Sequence, residues 1–178
     1  MKRFCVITNR DKEDSNRKAV YIQEYLEQKG GKCLILENRR VISEGVLHYT
    51  EADKIPEETE CVLVLGGDGT MIQAAIDLVH SKLPILGINM GTVGFLTEVE
   101  PQNLERALDL MLQDKYTIEN RIMLRESSVT PTGTSSGKAC YALNDVVLSK
   151  RGDCRLITIK VYINDELADI YRADGLII

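Results

Sequence analysis

The sequence has no basic excess. Its 22 lysines and arginines are outnumbered by 27 aspartates and glutamates, leaving a net charge of −5 and a pI near 5.2. A broad footprint on nucleic acid needs clustered positive charge, so nucleic acid is not an expected partner and any anionic ligand must be met locally. No apolar run approaches the roughly 20 residues of a membrane span. The opening MKRFCVITNR starts basic but has no long apolar stretch of the signal-peptide kind, and it reads as a first strand. The expectation is a cytoplasmic protein without a membrane partner. Histidine is scarce: His48 and His80 lie far apart and form no metal-ligand set, which speaks against zinc. Cysteine shows no C-x-x-C spacing. Cys5, Cys33, Cys61, Cys140 and Cys154 are odd in number and scattered, and three of them sit in strand-like apolar runs, where a free thiol acts as a small hydrophobe.

What is present is ordinary globular material. Hydrophobic residues make up 44% and charged residues 28% of 178 residues, enough for one domain or one domain plus part of another. The first two-thirds alternates strand and helix patterns. RFCVITN reads as a strand. SNRKAVYIQEYLEQKG reads as a helix with Ser15 as N-cap, Val20, Tyr21, Tyr25 and Leu26 as its apolar stripe, and Gly30 as its stop. KCLILE is the next strand, followed by a polar connection through Pro56, the strand and helix of CVLVLGGDGTMIQAAIDLV, the strand LPILGIN and the helix NLERALDLMLQDKY. Nearly continuous apolar strands separated by helices predict an α/β fold with a parallel sheet covered on both faces.

Beyond about residue 116 the pattern changes to period-two alternation broken by TPTGTSSGK, RGD and ND, the grammar of antiparallel hairpins. The expected organisation is an α/β nucleotide-binding domain over 1–115, then the first strands of an incomplete antiparallel all-β domain over 116–178. ADGLII resembles the start of another buried strand, and the expectation is that these residues are the N-terminal part of a longer protein.

The stretch Gly66-Gly67-Asp68-Gly69-Thr70 places an acid where phosphate-binding loops usually carry a lysine. Glycine removes side chains where the backbone turns sharply and phosphates approach, and the helix opened by Thr70 offers orphan amides and a positive dipole end. Asp68 also suits a plain helix N-cap, with the glycines forming a tight turn only. GTSSGKA at 133–139 is one residue short of a P-loop, ends in alanine and lies between β-type runs, so it reads as a hairpin loop. GINMGTVGF lacks the G-x-G-x-x-G spacing, but its turn at 91–94 and that at 66–70 both leave strands at the carboxyl edge, where they can share a crevice. Asn144 and Asp145 fall just inside a strand pattern, and Asp174 precedes another; a turn or strand start is the plain reading of all three.

LGGDGT, then GINMGTVGFLTE about 20 residues on, then LNDVVL and YRADGLII in that order, resemble the NAD kinase family over essentially the whole chain. The GGDGT piece alone also resembles diacylglycerol and sphingosine kinases and 6-phosphofructokinases; the second motif separates them. The resemblance implies a phosphofructokinase-like α/β fold. It also implies transfer of a phosphoryl group from ATP, or in some members polyphosphate, to the 2′-hydroxyl of the adenosine ribose of NAD. A divalent cation such as Mg2+ assists, and NADP is the product. It gives Asp68 the role of general base, Gly66, Gly67, Gly69 and Thr70 the phosphate loop, and Phe95 a place near the adenine, with a buried core Phe as the alternative. Asn144 then contacts the adenosine, Asp145 the ribose hydroxyls, and Asp174 a NAD bound by a neighbouring subunit of a dimer or tetramer. Family members continue after DGLII into a TPTGSTAY-like segment. The alternatives carried forward are a GGDGT-type lipid kinase and a noncatalytic NAD(P)-binding fragment.

Overall fold

The computed structural model describes residues 1–9, 13–38, 41–43, 46–91, 94–129, 132–133, 139–152 and 155–178. They form two compact units, Met1–Arg121 and Ile122–Ile178.

In the first unit β1 (Arg3–Asn9) leads to α1 (Glu13–Gln28) and β2 (Lys32–Asn38). A short antiparallel pair, β3 (Val41–Ser43) and β4 (Val46–His48), and a 3-10 turn at Ala52–Lys54 occupy the stretch read from sequence as a polar connection. Then come β5 (Cys61–Gly66), α2 (Asp68–Asp77), β6 (Ile85–Asn89) and α3 (Leu104–Leu112). The sheet order is β2-β1-β5-β6 and every pairing is parallel. Alternation along each strand sorts the core. Phe4, Val6, Cys61, Leu63 and Leu65 face α1 and α3, whereas Cys5, Ile7, Val62 and Val64 face Ala74 and Leu78 at the other side. Helices therefore cover both faces, and the chain reverses its direction of winding between β1 and β5.

Two details of α1 differ from the sequence reading. The helix starts at Glu13, so Ser15 lies inside it and is buried instead of capping it. Its buried face is Ser15, Ala19, Ile22 and Leu26, spaced 4, 3 and 4 residues apart, while Val20 and Tyr21 are 46% and 39% exposed. The tyrosines lie on the flank: Tyr25 Oη donates to Asp109 of α3 at 3.1 Å and Tyr21 Oη donates to Glu105. A polar tip needs a partner of that kind, so the ring sits at the seam and leaves the core to aliphatics.

Gly30 ends α1 as expected. It has φ +83°, its amide donates to Glu27 O at 3.0 Å, and the Gly31 amide donates to Leu26 O at 2.8 Å, a Schellman closure. An added Cβ at Gly30 meets nothing within 4 Å, so Gly30→Ala carries only the left-handed backbone cost. Chemical denaturation is expected to show a loss of about 1 kcal/mol. α3 stops earlier than its apolar pattern suggested, at Leu112, because Asp114 adopts φ +55° and Lys115 N turns back to Leu110 O at 2.8 Å.

Cys5, Cys33 and Cys61 are free and buried in these strands, and burial pushes each thiol up to about 12. They pack as hydrophobes, as read from sequence. Cys140 is exposed and Cys154 lies outside the described residues.

The second unit is antiparallel. β7 (Leu124–Glu126) pairs with β8 (Cys140–Ala142), and β9 (Val147–Ser149) pairs with β12 (Gly175–Ile177). β10 (Ile157–Ile163) and β11 (Glu166–Ala173) form a hairpin. Its turn, Asn164 and Asp165, has φ +50° and +67°, the signature that the Asn-Asp pair announced. The near-P-loop segment joins the antiparallel strands β7 and β8; residues 134–138 of it lie outside the described residues. None of the described residues of this unit is fully buried.

Candidate nucleotide-binding site

In an open parallel sheet, ligands sit beyond the carboxyl ends of the strands where winding reverses. Here that edge carries Gly66 of β5, the N-terminus of α2, and the segment that leaves β6. Gly66 is required sterically: an added Cβ would lie 2.5 Å from Thr70 Oγ1, because the Thr70 side chain folds back over the strand end. Gly67 is the N-cap of α2, with φ −107° and ψ −170°, and its carbonyl accepts the amides of Thr70 at 3.0 Å and Met71 at 3.1 Å. Gly67 and Gly69 each face open space, so a ligand's backbone-hugging group meets no obstacle there.

Asp68 is the first residue of α2, so the capping alternative is not realised. Its carboxylate reaches across to the second glycine segment, where Phe95 N donates to Oδ2 at 2.8 Å and Leu96 N donates to Oδ1 at 2.9 Å. The amide of Phe95 first, then that of Leu96, hold the carboxyl below its ordinary range, against a smaller opposing effect of burial and with help from the Thr97 amide. Asp68 is therefore an ionised, oriented acceptor at neutral pH. The two glycine turns meet, as their common strand edge implied.

Two further glycines make that meeting possible. At Gly94 an added Cβ would fall 2.1 Å from Asp68 Oδ1. At Gly87, inside β6, it would fall 3.0 Å from Thr97 Cα and 3.1 Å from Leu96 O. Val99 then runs beside β6, with Val99 N on Gly87 O at 3.1 Å and Asn89 N on Val99 O at 2.8 Å. The buried Asn89 side chain accepts the Gly91 amide at 2.8 Å. A glycine in the middle of a buried strand signals close backbone approach, and that was the readable sign of Gly87. Phe95 is 99% exposed, which removes the core alternative and leaves its ring free to stack. A cavity of about 320 Å3 nearby is lined by Glu13, Asp14, Ser15, Arg17 and Met90, at the start of α1 and just past β6.

The other end of α2 is fixed by a residue that the sequence reading passed over. The Asp77 side chain is fully buried and accepts Tyr49 N at 2.9 Å, Thr50 N at 2.8 Å and Gln73 Nε2 at 3.0 Å, with His48 Nδ1 3.2 Å away.

In the second unit Asn144 and Asp145 are exposed and lie in the connection between β8 and β9, not inside a strand. Asp174 forms the bend between β11 and β12, and its carbonyl accepts the Lys150 amide at 2.9 Å. Val146 and Ile178 close the opposite end of the same ladder, at 2.9 and 3.0 Å. Five residues of extended chain separate Asp145 from the Lys150 end, about 16 Å. The ladder thus holds the Asn144–Asp145 pair and Asp174 apart.

A doubly wound parallel sheet with two glycine turns meeting beyond its carboxyl edge is an α/β arrangement of the kind that takes ligands at that edge. Residues 4–116 match the family model described as ATP-NAD kinase N-terminal domain. The chain belongs to the NAD kinase family. It is 41% identical over 179 residues to the NAD kinase of Lachnoclostridium phytofermentans, covering 100% of this chain and 61% of that protein. It is 38% identical over 178 residues to the NAD kinase of Moorella thermoacetica, covering 100% of this chain and 56% of the relative. Among solved structures, yeast NADH kinase complexed with NADH superposes with a TM-score of 0.75 at 20% identity, over 99% of this chain and 57% of that one, which shows a shared fold. The chain spans about three fifths of the length of the curated relatives it matches.

Proposed function

We propose that the chain carries the nucleotide-binding and phosphoryl-transfer loop of an NAD kinase, which moves the γ-phosphoryl group of ATP to the 2′-hydroxyl of the adenosine ribose of NAD. The observation that carries this reading is the Asp68 carboxylate, ionised, oriented by two amides, and flanked by Gly67 and Gly69 that face open space. In the reaction the O2′–H proton passes to Asp68, the O2′–P bond forms, the bond from the γ-phosphorus to the bridging oxygen breaks, and ADP leaves. A lysine in the place of Asp68 could not accept that proton in its charged form. Gly66, Gly67, Gly69 and Thr70 shape the space for phosphate, and Phe95 stacks on the adenine.

Asn144 and Asp145 are assigned to the adenosine and its ribose, and Asp174, held at the far end of the ladder, to a NAD on a neighbouring subunit. The relatives' names favour NAD over a lipid as acceptor. Among the described residues no three His, Cys, Asp or Glu are gathered into a metal-holding group. Mg2+ usually keeps several waters and arrives on substrate phosphates rather than in a protein cage. The cation would neutralise charge on the transferring group.

The test is NADP formation from NAD, ATP and Mg2+, read by a coupled NADP-specific dehydrogenase. Formation supports the reading; NAD binding without NADP formation overturns transfer by these 178 residues.

The pH profile follows from the depressed Asp68 carboxyl. A base with a lowered pKa stays ionised as pH falls through the ordinary carboxylate range and is lost only below it. As pH is lowered, kcat/KM is expected to hold until below the usual Asp range and then to fall tenfold per pH unit. An acid limb near pH 6 would show that another group supplies the base.

A further inference from the structure

We infer that Gly94 is a positioning residue for Asp68: its missing side chain is the seat in which the carboxylate lies while the Phe95 and Leu96 amides fix its two oxygens. This rests on the reading of Asp68 as the base, and adds a residue outside the GGDGT loop to the device that aims it.

The geometry is specific. A Cβ on Gly94 would lie 2.1 Å from Oδ1, 2.5 Å from Cγ and 2.8 Å from Oδ2, so it meets the whole carboxylate and not one flexible tip. Asp has a short side chain, and Cβ is anchored at the first turn of α2, so the group cannot slide aside and keep both amides. The amides cannot follow it easily either. Gly87 packs against Leu96 O and Thr97 Cα, and Glu98 N and Val99 N are both bound to Gly87 O at 3.1 Å, which holds the segment to β6. Three fixed parts therefore meet at one point: the helix start, the strand, and the segment that crosses between them. Filling the seat leaves the carboxylate present but turned, with its hydrogen bonds from the Phe95 and Leu96 amides broken.

A turned carboxylate misplaces the proton acceptor by about 1 Å or more, a displacement worth about 100-fold in rate. It also loses the donors that lower its pKa. Among the described residues, the groups that act on it are the Phe95 and Leu96 amides, burial and the Thr97 amide.

The experiment is a carbon-detected NMR titration of Asp68 Cγ, with the amide protons of Phe95 and Leu96, in the wild-type chain, Gly94→Ala and Gly91→Ala. Gly91 faces open space and serves as the control in the same turn. In wild type the two amide protons should titrate together with Asp68, below the ordinary carboxylate range. In Gly94→Ala the Asp68 midpoint should rise into that range and both amides should lose the titration, with NADP formation reduced about 10- to 100-fold. Gly91→Ala should titrate as wild type. An Asp68 midpoint unmoved in Gly94→Ala overturns the inference. Should Gly94→Ala not fold, the Asp68→Ala/Gly94→Ala double variant, which removes the carboxylate that the new Cβ would strike, should fold; a double variant that also fails to fold overturns the inference. A wild-type chain that forms no NADP overturns transfer by these 178 residues, while the paired titration still upholds or overturns the seat.

Discussion

Asp68→Asn, by the role proposed for Asp68, is expected to lower turnover of NAD to NADP in a complete enzyme by about 10²- to 10⁴-fold, the range that a positioned base contributes. Asparagine is nearly the same size, but it cannot accept the ribose proton at neutral pH. It also keeps only one acceptor for the two amides that the carboxylate now serves: its oxygen can take Phe95 N or Leu96 N, and its NH2 then faces the other donor. The segment at 94–97 is still tied to β6 through Gly87, so the fold and NAD affinity should change little. Steady-state NADP formation gives the loss, and calorimetric titration with NAD gives the affinity. A turnover within a few-fold of wild type would remove Asp68 as the base and leave it as a staple between two loops.

The second large effect concerns stability. Asp77→Ala removes a fully buried carboxylate that accepts two backbone amides and the Gln73 side chain, and that lies beside His48. The Tyr49 and Thr50 amides then lose this acceptor, and an amide left unsatisfied costs about 1–3 kcal/mol. The expected loss is about 3 kcal/mol, which lowers Tm by roughly 10 °C in a unit of this size. Asp77→Asn should fall between, since its one oxygen can still accept an amide. Thermal unfolding followed by circular dichroism measures both. A shift of less than about 2 °C for Asp77→Ala would mean that the β4 end and α2 are held by packing alone.

The parallel sheet was legible because β1 and β5 are buried on both faces, and double burial leaves uninterrupted apolar runs in the sequence. Gly30 and the Asn164–Asp165 turn were legible for a local reason: both need φ above zero, and only a few residue types adopt it. The stripe of α1 was misjudged because Val20 and Tyr21 are apolar by type, whereas the neighbours that choose the face belong to β1 and α3. Asp77 could not be found from sequence, since a carboxylate at a helix end gives no sign that the bend after β4, 27 and 28 residues earlier, supplies its backbone donors. For the candidate site, GGDGT stood out by its spacing. The contact between Asp68 and the amides of 95 and 96 did not, because it joins residues whose chain separation of 27 and 28 carries no pattern.

Among the described residues, all four parallel strands, the three α-helices and the groups that hold Asp68 lie within Met1–Arg121. Domains fold largely in order of synthesis, from the N-terminus onward. The sheet gains its last strand at Asn89 and its second cover at α3, so this unit can close before the antiparallel strands have emerged from the ribosome. The acid is aimed while the surfaces that carry Asn144, Asp145 and Asp174 are still unmade. The Asp68 carboxylate is thus oriented by residues of the first unit, all of them made before the antiparallel strands.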